Sequence, residues 1–124
     1  MVFSLPANSC YIGNMQVFKP PDLKYSNFWI DFNLGTGNLI IYCVKTPQSD
    51  AMWDTVIINS AIVVKMSVSP SGETNLHLKL ANQVTNLFSS SPPSGDSAGN
   101  SVDIVLGHQP IIEKLLKTMY PGKL

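Results

Sequence analysis

Phe28-Trp29-Ile30-Asp31-Phe32-Asn33-Leu34-Gly35-Thr36-Gly37-Asn38-Leu39-Ile40-Ile41-Tyr42 sets two apolar runs about a centre rich in asparagine and glycine. Phe28 to Phe32 is bulky and β-favouring, residues 33 to 38 carry the asparagines and glycines of a turn, and Leu39 to Val44 is β-favouring again, so the stretch predicts a hairpin. In strand register Phe28, Ile30 and Phe32 share one face, predicted as core, and Trp29 with Asp31 the other. Gly35-Thr36-Gly37 lacks the lysine and following helix of a phosphate loop, so its glycines are read as turn residues.

Upstream, Tyr11 to Phe18 reads as a first strand, closed by Lys19-Pro20-Pro21-Asp22. After a polar excursion from Lys45 to Asp54, Trp53 to Ile58 and Ala61 to Val68 form two Val- and Ile-rich runs separated by Asn59-Ser60. Five sequential strands with tight turns predict a mainly β domain, an antiparallel barrel or sandwich. Beyond Thr74, Leu76, Leu78 and Leu80 alternate like a strand, while Leu76, Leu80, Val84, Leu87 and Phe88 fit a helical face. A helix from about Asn75 is the expected form and a sixth strand the alternative.

The domain is thus placed at residues 1–88, followed by a Ser/Pro/Gly linker at 89–101 and a tail at 102–124. In the tail, Val102 to Leu106 suits a short strand. Ile111, Ile112, Leu115, Leu116 and Met119 form the apolar stripe of an amphipathic helix that Pro121-Gly122 ends.

Composition narrows the function. All eight basic residues are lysines, scattered and matched by eight acids, so the charge is zero and no basic patch with arginine forks exists to grip phosphates. Little or no nucleic-acid binding is expected. The N-terminus has no signal-peptide pattern and no run reaches membrane-spanning length, which predicts a cytoplasmic and nuclear protein. Cys10 and Cys43 are read as buried thiols, and no Cys/His spacing suggests a metal. His77 and His108 sit in no nucleophile motif, and Asp50 with Asp54 is the closest acidic pair, so no enzyme, cofactor or catalytic residue is expected.

The two blocks FWIDFNLGTGNLIIY and TVIINSAIVVKM resemble the paired signatures of the Sm and LSm family, over roughly residues 10 to 68. The resemblance implies a small, strongly bent five-stranded antiparallel barrel, which the amphipathic helix read above would follow at the C-terminus. Asn59-Ser60 stands where ring-forming members carry an RNA-contacting Arg-Gly pair, and in this the chain is similar to the Gemin subunits of the survival-motor-neuron complex. What the resemblance implies is a scaffold that pairs by strand edges with another Sm-like subunit and further scaffold subunits, assembling Sm proteins on small nuclear RNA for splicing.

The partner-binding residues expected on the strands are Ile57, Ile58, Ile62, Val63, Val64, Met66 and Val68. An uncovered apolar edge strand invites pairing with another chain. Ile111, Ile112, Leu115, Leu116 and Met119 complete the set on the helix. An OB fold binding single-stranded nucleic acid is the rival, since its five strands and terminal helix suit the same chain.

Overall fold

The computed structural model describes residues 2–13, 15–19, 28–44, 54–71, 73–81, 100–107 and 111–123. Their strands are β1 (Val2–Ile12), β2 (Met15–Val17), β3 (Phe28–Asn33), β4 (Asn38–Cys43), β5 (Asp54–Asn59), β6 (Val63–Ser71), β7 (Glu73–Leu80) and β8 (Ser101–Leu106), with one helix, α1 (Ile112–Met119). All pair antiparallel in one eight-stranded sheet, ordered β5-β4-β3-β1-β8-β7-β6, with β2 paired to β1 off that path. The sheet does not close, so the expected five-stranded barrel is replaced by an open, longer sheet with a single helix.

β1 holds the sheet together. Its first half, Val2 to Ala7, pairs with β3, and its second half, Ala7 to Ile12, pairs with β8. The register slips between Ala7 and Ser9, and such an irregularity bends a strand and lets its halves serve different neighbours. The expected strand from Tyr11 to Phe18 is divided between β1 and β2, because Gly13 takes φ 63° and turns the chain back, pairing Tyr11 with Gln16. Phe18 then exchanges two backbone hydrogen bonds of 2.9 Å with Val44, beyond the end of β4.

Three further elements differ from expectation. Glu73 to Leu80 is a strand, not the start of a helix, and Thr74, Leu76, Leu78 and Leu80 all point inward. Pairing on both sides, with β6 and β8, decides the period-2 reading of those leucines, and residues 82 to 88 lie outside the described residues. Ala61 and Ile62 belong to a 3-10 turn, Ser60–Ile62, ahead of β6. Ser101–Leu106, expected in a tail, lies between β1 and β7. Trp53, Pro110, His108 and the linker reading of residues 89 to 99 lie outside the described residues.

The core forms on one face. Phe28, Ile30 and Phe32 of β3, Leu39 and Ile41 of β4, Leu76 and Leu78 of β7, and Val102, Ile104 and Leu106 of β8 are buried, with Cys10 and Cys43 among them. α1 lays Ile112, Leu115, Leu116 and Met119 into the same cluster, and Tyr120 follows at no exposure. Each such side chain contributes roughly 1.5 to 3 kcal/mol of hydrophobic stabilisation, so the helix is integral to the fold. On its outer side Glu113 and Lys117 form an exposed ion pair of 3.2 Å.

Candidate functional site: the two edges of the sheet

The sheet ends in β5 on one side and β6 on the other, consecutive strands joined by the 3-10 turn Ser60–Ile62. Asn59 builds the corner between them. Its Oδ1 accepts from the Ala61 backbone N–H at 2.9 Å, capping the turn, while its Nδ2 donates to Asn38 Oδ1 at 2.8 Å and to the Thr36 carbonyl at 3.3 Å. The β3–β4 turn approaches from the other side: Ser60 N–H donates to the Gly37 carbonyl at 2.7 Å, and Gly37 has φ 73°. Asn33 and Asn38, read in sequence as signature residues, and Asn59-Ser60, read as a departure from the signature, thus serve with the turn residue Gly37 to redirect the chain.

The β6 edge is protected in four ways. Val63 and Lys65 flank a register irregularity, Lys65 is exposed, and the Met66 N–H donates to the Lys123 carbonyl at 2.8 Å. Residues two apart present their backbone groups to the same side, so Pro70, in phase with Met66, places its missing N–H on the open side, where no ladder bond is lost. Lys123 also donates its Nζ to the Ser60 carbonyl, spanning the corner. Irregularities, lysine, proline and a covering segment are the devices that keep an edge strand from pairing with other chains.

Among the described residues, the β5 edge carries none of these from Val56 to Ile58. Ser60 and Gly37 form a hydrogen-bonded pair in the β4–β5 register, so Ile58 and Val56 bond to β4 and Ile57 turns both its backbone groups outward. Among the described residues nothing accepts or donates to them. The Ile57 side chain is 59% exposed on the face away from the core, next in register to Ile40 and then to Asp31. Tyr42 lies one row along, opposite Thr55, at 37% exposure. Desolvation, reinforced by the Asp31 carboxylate and its hydrogen bond, raises the Tyr42 phenol above its ordinary value.

The twelve expected partner contacts are therefore divided. Ile58, Val63, Met66, Ile112, Leu115, Leu116 and Met119 are buried in this chain's own core, and Ile62 and Val68 are partly buried against it. Ile57, Val64 at 55% and Ile111 at 39% face outward. Runs of Val and Ile cannot themselves reveal which residues lie inside, because a strand alternates faces and a register irregularity resets the alternation. Lys123 as an edge cap and the placement of Ile40 and Tyr42 beside the expected contact Ile57 escaped the sequence reading. Alternation of Ile40 and Tyr42 with the buried Leu39 and Ile41 was the available signal for the second.

Little on the described surface suggests chemistry. His77 Nδ1 lies 2.5 Å from Asp103 Oδ1, directly across the β7–β8 ladder, with both side chains about half exposed. No group of three or more His, Cys, Asp or Glu able to hold a metal occurs among the described residues. No helix among them is long and apolar enough to cross a membrane.

Comparison with known proteins corrects the functional expectations. Over 57 residues the chain is 37% identical to Synaptonemal complex protein 2 of Rattus norvegicus, a match covering 46% of this chain and 4% of that protein. It is 33% identical over 67 residues to Synaptonemal complex protein 2-like of Mus musculus, covering 54% of this chain and 8% of that one. A solved structure titled Synaptonemal complex protein superposes with a TM-score of 0.76 at 24% identity, over 98% of this chain and 28% of that one, which shows the fold. The matches span only a small part of these relatives' length.

The resemblance to Sm, LSm and Gemin proteins is overturned, and with it the Sm-like partner subunit, assembly on small nuclear RNA and splicing. The OB-fold alternative and the cytoplasmic placement find no support either. Two short aliphatic strands separated by an asparagine-glycine turn occur in many β domains, so the signature blocks had little discriminating power. Residues 2–92, β1 through β7 and beyond, match the family model described as Synaptonemal complex 2 Spt16M-like domain, and the chain belongs to that family.

Proposed function

We propose that this chain is a non-catalytic protein-binding domain of a nuclear synaptonemal-complex protein, and that it engages its partners by adding a strand at the β5 edge. The observation that carries this reading is the asymmetry of the sheet: β6 is guarded by a register irregularity, lysine, proline and Lys123, while Ile57 has backbone groups that no described residue bonds and an exposed side chain. Ile57 is the central contact, with Ile40 and Tyr42 beside it on the face away from the core. Val64 and Ile111 are secondary contacts. Family membership supports the setting, since the relatives are named as synaptonemal-complex proteins.

A photoreactive benzophenone side chain placed at position 57 of the full-length protein in meiotic cells tests this. Irradiation is expected to give covalent adducts with synaptonemal-complex proteins. Adducts no more abundant than those from the same probe at Glu113, on the exposed side of α1, would reject the β5 edge as the binding surface.

A further inference from the structure

We propose that the occupant of the β5 edge is the same edge of a second copy of this chain, the two β5 strands pairing antiparallel about a two-fold axis at Ile57. This rests on the β5 edge being the binding surface, and it names the partner.

The pattern of β5 is self-complementary. A two-fold axis through an antiparallel pair places residue i opposite a residue of the copy such that the two numbers share a constant sum. With the axis at Ile57, Ile57 opposes its own copy, Thr55 opposes Asn59, and Val56 opposes Ile58. Every pair joins residues of the same face: Val56 and Ile58 are buried, whereas Thr55, Ile57 and Asn59 are exposed. A shift by one residue would set buried against exposed positions, so registers displaced by one are excluded.

Backbone phase agrees independently. Ile57 has its N–H and its C=O turned away from β4, and a residue on the axis needs both, one to donate to its copy and one to accept from it. The two Ile57 side chains then cover each other, removing the most exposed large apolar side chain among the described residues from water. Charge does not oppose the contact. The chain has zero formal net charge, and no residue from Thr55 to Asn59 is charged. The guarded β6 edge limits the assembly to a pair, where two open edges would propagate the sheet without end.

Sedimentation equilibrium over a concentration series, with site-directed cysteine cross-linking, tests both contact and register. The chain is expected to move from one to two copies per particle as concentration rises, and Ile57→Lys is expected to remain monomeric with an unchanged circular dichroism spectrum and thermal melt. In a hydrogen-bonded antiparallel pair the Cα atoms are about 5.5 Å apart, within disulfide reach. Ile57→Cys is thus expected to give a disulfide-linked dimer under mild oxidation. Thr55→Cys is expected not to, since its two copies lie about 14 Å apart along the strands. Cys10 and Cys43 are buried and add no background.

A wild-type chain that stays monomeric, or equal cross-linking at 55 and 57, would overturn the proposal. If such a monomer still gave position-57 adducts with other synaptonemal-complex proteins, the binding role of the edge would stand and only the self-pairing would fall.

Discussion

Asn59 Nδ2 donates to Asn38 Oδ1 at 2.8 Å, and the two residues face each other directly in the β4–β5 ladder. One asparagine thereby ties the hairpin turn of β3 and β4 to the corner where the chain leaves one sheet edge for the other. Because the same side chain also caps the Ser60–Ile62 turn, Asn59→Ala removes three hydrogen bonds at once. The site is exposed, so the loss is modest, about 1 kcal/mol, read as a lower urea midpoint with an unchanged slope. Asn59→Asp retains the acceptor for the Ala61 N–H and is expected to recover part of it.

Gly37 serves the same corner by having no side chain. At φ 73° any other residue is strained, and a Cβ would sit 2.9 Å from Ser60 Oγ. Gly37→Ala is expected to cost about 1 to 3 kcal/mol. Adding Ser60→Ala relieves the collision with the hydroxyl while the backbone strain remains. The double variant should therefore be less destabilised than the sum of the single ones, and strict additivity in denaturant titrations would refute a clash between these residues.

The inward side of α1 separates a structural helix from a docking helix. Leu116 has no exposure and packs in the common core, so Leu116→Ala is expected to lower stability by about 2 to 5 kcal/mol. Lys114→Ala, on the outward side, is expected to leave the thermal midpoint nearly unchanged. Equal effects of the two changes would mean that the helix does not pack on this sheet.

Local features of the fold were legible in the sequence, and its long-range pairings were not. The 28–42 hairpin, the inward trio Phe28, Ile30 and Phe32 and the apolar stripe of α1 follow from alternation and turn chemistry within a few residues. By contrast, placing β8 between β1 and β7 joins Ser101–Leu106 to strands more than 20 and more than 80 residues earlier, and no local pattern encodes such neighbours. Leu76 and Leu80 satisfied two periods at once until pairing partners on both sides chose between them. At the binding edge, Ile57 and Ile58 are equivalent in composition. Only the phase set by Ser60 and Gly37 sends one outward and the other into the core.

Cys10 gives the fold an alkaline limit. Burial is the largest cause raising its thiol above the ordinary value of 9.0, with the neighbouring Cys43 and Asp103 adding to it. In the unfolded chain the thiol ionises near its ordinary value, whereas the folded chain keeps the proton. The unfolded state therefore binds fewer protons above pH 9, and stability, complete below that value, falls as pH rises. One group contributes a slope of at most about 1.4 kcal/mol per pH unit. Urea midpoints taken between pH 7 and pH 10 are expected to be level at first and then to decline. Cys10→Ala is expected to start lower, because a small void replaces the sulfur, yet to decline less steeply over the same interval. Parallel declines for the two proteins would show that the buried thiol does not set the alkaline limit.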